Sequence, residues 1–83
     1  MCTYVTRTVP VAGSAKGPDG WFAATAATVY YDHPVHAGAE HTLNIDVLNA
    51  GLGPAARLAL ELDPVAARAL AEAILTTLET ASA

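Results

Sequence analysis

The stretch Arg57-Leu58-Ala59-Leu60-Glu61-Leu62-Asp63-Pro64-Val65-Ala66-Ala67-Arg68-Ala69-Leu70-Ala71 changes its hydrophobic period at Asp63, and that change decides the fold. Before it, Leu58, Leu60 and Leu62 alternate with Arg57 and Glu61, the pattern of a half-buried strand spanning 56–62. After it, Ala67, Leu70, Ala71, Ile74 and Leu78 recur at helical spacing, with Arg68, Glu72, Thr76 and Glu79 on the other side. Asp63 is a good N-cap, and Pro64 suits the first helical position, where its missing N–H costs nothing. The spacing therefore predicts a helix from Pro64 to about Thr80.

Upstream of this junction the chain reads as strands. His41 to Leu48 puts Leu43, Ile45 and Val47 on one face and Thr42, Asn44 and Asp46 on the other, and Asn49 to Pro54 turns the chain. Trp21 to Asp32 reads as another strand, and Thr3 to Val11 as the first, rich in β-branched residues. Pro10 lacks a backbone donor, so this first strand belongs at a sheet edge or carries a bulge. Residues 13–20 read as a turn segment and 33–40 as a loop. The expected fold is α+β in the order ββββα, a four-stranded antiparallel meander with one C-terminal helix packed on one face. Residues 1–83 read as a single domain.

Hairpin registers sharpen this picture. Centring the first turn on Gly17-Pro18 sets Tyr4 opposite Tyr31 and Cys2 opposite His33. The next loop pairs Tyr31 with Leu43 and His33 with His41, and the third pairs Ile45 with Leu58. Tyr4, Val29, Tyr31, Leu43, Ile45, Val47, Leu58, Leu60 and Leu62 then share the face that receives the helix. The other face carries Val5, Val9, Phe22 and Tyr30 beside Arg7, Asn44 and Asp46. One helix cannot cover both faces, so a second copy of the chain, a homodimer, is the expected partner.

The same registers bring Cys2, His33 and His41 into one row, with His36 in the loop above it. Imidazole and thiolate are preferred zinc ligands, and iron and copper also accept imidazole. The leading functional expectation is thus a metal-binding protein with Cys2, His33, His36 and His41 as ligands, zinc first and iron or copper behind it. Against it stands the plainer reading of surface histidines around a hairpin loop, since His-x-x-His is a weak motif. Two rivals come from other classes. One is a non-enzymatic dimeric interaction module working through the exposed sheet face. The other is a thiol-dependent enzyme using Cys2, activated by a nearby imidazolium. Gly13-Ser14-Ala15-Lys16-Gly17 lacks the spacing of a phosphate-binding loop. Trp21, Phe22, Tyr30 and Tyr31 are better explained by packing than as a stacking platform.

Composition bounds these readings. The chain has 83 residues, of which 53% are hydrophobic, but 19 are alanine, so few side chains are large enough to build a core. Four basic residues against eight acidic ones give a net charge of -4. No basic patch holds a phosphate backbone, so nucleic acid is not an expected partner. No apolar run is long enough to cross a bilayer and no signal peptide opens the chain, so a cytoplasmic location is expected. A single cysteine excludes an internal disulfide framework.

Met1-Cys2-Thr3-Tyr4, the stretch Val11 to Phe22, Ala27-Thr28-Val29-Tyr30-Tyr31-Asp32-His33-Pro34-Val35-His36 and Glu40-His41-Thr42-Leu43-Asn44-Ile45-Asp46 carry a further signal. Through them the chain resembles a family of small proteins from high-GC bacteria classed as a domain of unknown function. Tyr-Tyr-Asp-His-Pro-Val-His is the most distinctive piece. The resemblance spans nearly the whole chain and implies a stand-alone bacterial protein. It supplies no functional residues.

Overall fold

The structure is a computed structural model and describes residues 5–32 and 41–82. Four strands form one antiparallel sheet in the order β1-β2-β3-β4, with β1 at Val5–Gly17, β2 at Gly20–Asp32, β3 at Thr42–Leu48 and β4 at Arg57–Leu62. A single helix, α1, follows at Pro64–Ser82. This is the α+β meander expected from the change of period at Asp63.

The helix begins where its capping chemistry says it should. Asp63 Oδ1 accepts a hydrogen bond from the Ala66 backbone N–H at 2.9 Å, satisfying one of the donors that the first turn leaves orphaned. Between β3 and β4 a short 3₁₀ turn covers Ala50–Leu52. Asn49 organises it from both ends of its amide: Oδ1 accepts from Gly51 N–H at 3.1 Å, and Nδ2 donates to the Ala23 carbonyl at 2.9 Å.

The first hairpin is longer and tighter than expected. Residues 13–17 are strand and not loop, because Gly17 pairs with Gly20 and leaves only Pro18-Asp19 to reverse the chain. Pro18 fixes φ at the first central position, and Gly20 takes φ +110°, a conformation that favours glycine. Further along, Pro10 pairs with Ala26 and Gly13 with Ala24, so Val11 and Ala12 together oppose Thr25. Edge position and bulge thus both occur, as the missing donor of Pro10 requires.

The bulge corrects one expected register. Tyr31 pairs with Val5, not Tyr4, which lies outside the described residues. Directly opposed residues share a face, so Val5, Arg7 and Val9 stand on the same side as Val29 and Tyr31 and not on the opposite one. The β2–β3 register is as expected, with Tyr31 opposite Leu43. The β3–β4 register is displaced by two residues: Ile45 pairs with Leu60 and Val47 with Leu58. An even displacement preserves facing, so Leu58, Leu60 and Leu62 still join Leu43, Ile45 and Val47.

Burial is thin. Among the described residues the buried apolar side chains are four alanines, Ala15, Ala24, Ala27 and Ala56. No residue of α1 is buried; the helix lies over the sheet and touches it at β3. Two polar side chains are buried on the face away from the helix: Thr42 and Asn44, bonded to each other through Oγ1 and Oδ1 at 2.7 Å.

Candidate functional site

The expected metal corner is not supported. Cys2, His33 and His36 lie outside the described residues, and so does the Cys2 thiol invoked for nucleophilic catalysis. His41 is described, at the entry to β3. Its ring stacks on Tyr31, with centroids 5.7 Å apart and planes 16° from parallel. Tyr31 is directly opposite Leu43, which makes His41 its diagonal neighbour on β3. Among the described residues no group of three or more His, Cys, Asp or Glu side chains comes together as a metal site. That finding overturns the metal-binding reading. Physically, the place of Cys2 in that row rested on the assumed register of the first hairpin, and that register is displaced.

What the described residues do build is a cleft between α1 and the sheet. Its volume is about 600 Å³. Val29, Tyr31, Leu43 and Ile45 form the floor, and Ala67, Leu70, Ala71, Ile74 and Leu75 form the helix wall, with Arg68 and Glu72 also lining it. Strand alternation supplies the floor, since these four are among the side chains that β2 and β3 turn to this face. Helical spacing supplies the wall. Its lining is almost wholly apolar, and its size falls within the range of ordinary small-molecule clefts.

The helix wall is poorly covered. Ile74, Leu75 and Leu78 are 53%, 60% and 59% exposed, although all three belong to the apolar stripe. Leu75 was not among the residues singled out from the sequence. Its position four residues after Ala71 and three before Leu78 was the available signal. Val5 and Val9 lie on the face opposite to the one expected, because Pro10 signals an edge or a bulge without separating the two, and only a bulge reverses their facing.

On the other face Asp46 links three strands. Its Oδ1 accepts from Arg57 Nη2 at 2.7 Å, and its Oδ2 accepts from the Tyr30 hydroxyl at 3.3 Å. Burial, then the charge of Asp46 and its hydrogen bond, hold the Tyr30 phenol above its ordinary pKa, with Arg57 acting in the opposite sense. Thr8 and Thr28 share a hydroxyl hydrogen bond at 3.2 Å nearby. Among the described residues every buried side-chain nitrogen and oxygen has a partner, which marks this network as structural.

A small α+β protein with an open antiparallel sheet, one poorly covered helix and an apolar cleft between them is the class these features define. The chain belongs to a family of unknown function, DUF6295, whose match covers residues 1–83. It matches no curated protein and no solved structure. No helix among the described residues is long and apolar enough to cross a membrane.

Proposed function

We propose that the chain is a homodimeric interaction module whose working surface is the α1 side of the sheet together with the apolar stripe of α1. The observation that carries this reading is uncovered surface. A compact monomer of 8.5 kDa exposes about 4,700 Å², whereas this chain exposes 5851 Å². The excess of roughly 1,200 Å² is of the order that each partner hides in a stable interface, about 800 Å² or more. Leu70, Ile74, Leu75 and Leu78 account for part of it, at 39–60% exposure. Burial of such side chains is the main favourable term in folding and association, so leaving them in water costs stability that a second copy restores.

Sedimentation of the untagged chain over an about hundredfold range of concentration tests the reading. A dimer mass is expected, with an unfolding midpoint that rises with concentration. A monomer mass throughout, with a concentration-independent midpoint, overturns it.

A further inference from the structure

We infer that the partner's α1 seats over β1 on this sheet face, and reciprocally, so that two helices lie side by side in one layer between two sheets. The inference rests on the homodimer proposed above and assigns its geometry. α1 lies over β2 and β3, whose Val29, Tyr31, Leu43 and Ile45 floor the cleft beneath it. On β1, Val5 and Val9 face the same side and are 53% and 48% exposed.

The helix is shaped for two neighbours. Its charged residues, Arg68, Glu72 and Glu79, occupy one narrow flank at helical spacing, and the rest of its circumference is alanine, leucine, isoleucine, valine, threonine and serine apart from Pro64. A helix that is free of charge around most of its girth belongs in an interior and not on a solvated surface.

Charge gives the seat a register. Arg7 stands between Val5 and Val9 on β1 and makes no ion pair or hydrogen bond among the described residues. Glu72 and Glu79 on the helix flank are in the same position. Seating a second helix over Val5 and Val9 brings these acidic groups to Arg7. Extension of the sheet through its β1 edge is the competing arrangement, and Pro10 together with the adjoining bulge interrupts that edge.

Two measurements on the full chain test the seat. In a Cys2→Ser background, equal amounts of chains carrying only Val9→Cys or only Ile74→Cys are mixed and oxidised with glutathione disulfide. A mixed disulfide between the two chains, identified by mass, is expected, each glutathione disulfide taking up two electrons and releasing two reduced glutathiones as the protein bond forms. In parallel, Arg7→Glu should weaken the dimer about tenfold, and combining it with Glu72→Arg and Glu79→Arg should restore it. A wild-type dimer with no mixed disulfide and no response to charge reversal overturns this geometry while leaving the homodimer intact. A wild-type chain that is monomeric at every concentration overturns both.

Discussion

Arg57 and Asp46 are ion-paired at 2.7 Å across a diagonal of the β3–β4 ladder, not directly opposite one another. Asp46 faces Ala59, two residues along from Arg57, so a long guanidinium side chain is needed to reach back. Tyr30 reaches the same carboxylate from β2, again on a diagonal, since its direct partner is Asn44. One acidic side chain therefore ties β2, β3 and β4. Because Asp46 is only 16% exposed and Arg57 is 51% exposed, removing either partner should have unequal effects. Asp46→Ala leaves a partly buried hydroxyl without its acceptor and should cost about 1–2 kcal/mol in urea unfolding. Arg57→Ala should cost about 0.5 kcal/mol or less, a loss that disappears near 1 M salt. Equal costs for the two would contradict the network.

The phenol of Tyr30 makes stability depend on high pH. Burial is the main reason its folded pKa is raised, followed by Asp46. In the unfolded chain it ionises near pH 10. The folded state consequently holds this proton to higher pH than the unfolded state does. The associated stability is fully present below about pH 10 and is lost as pH rises through the folded value. Tyr30→Phe should flatten that part of the stability profile, with the tyrosinate absorbance titration of the folded protein losing its highest-pH component. Asp46→Asn should lower the Tyr30 transition without returning it to its ordinary value, because the burial remains. A full return would assign the shift to charge alone.

Much of the fold was legible because burial and capping are written locally. Leu43, Ile45 and Val47 alternate so cleanly that their facing needs no partner strand to establish it. Asp63-Pro64 announces a helix start that the Ala66 N–H to Asp63 bond then realises. The first hairpin was not legible in the same way. Its reversal is made by Pro18-Asp19, one residue later than expected, and the bulge at Val11-Ala12 takes one residue back. Neither change alters composition, yet the one-residue shift at the bulge turns Val5 and Val9 toward the helix side. The β3–β4 displacement did less damage, since a shift of two keeps Leu60 on its face. Least legible was the poor coverage of α1. Spacing identifies a stripe such as Leu70, Ile74 and Leu78, but carries no information on whether the same chain covers it.

That poor coverage makes the cap of α1 unusually important. A helix of 19 residues with no buried side chain gains little from its own sheet, and isolated helices near this length are marginal in water. Asp63→Ala removes the acceptor for Ala66 N–H and should cost about 1 kcal/mol. The loss should be visible as reduced helical circular dichroism before the sheet unfolds. Asp63→Asn keeps an acceptor oxygen and should retain most of the helix signal. Coincident loss of helix and sheet signals in Asp63→Ala would mean that α1 is held more firmly than its exposure implies.

The tip of the first hairpin is held by a close approach that only glycine permits. A Cβ built on Gly17 would stand 3.0 Å from the Ala55 carbonyl oxygen, 3.3 Å from that of Arg57 and 3.2 Å from the Phe22 ring. Two of these three neighbours are backbone and have little freedom to retreat, so Gly17→Ala should push β1 away from the start of β4. An overpacking cost of about 1–2 kcal/mol is expected. Gly20 gives a contrast in mechanism, because a Cβ there would meet nothing within 4 Å. Its constraint is conformational, φ +110°, and Gly20→Ala should cost about 1 kcal/mol through backbone strain alone. Amide hydrogen exchange separates the two. Gly17→Ala should loosen residues 55–57 as well as the hairpin, whereas Gly20→Ala should loosen the turn and leave 55–57 protected. If protection at 55–57 is untouched in Gly17→Ala, the tip is not packed against that segment.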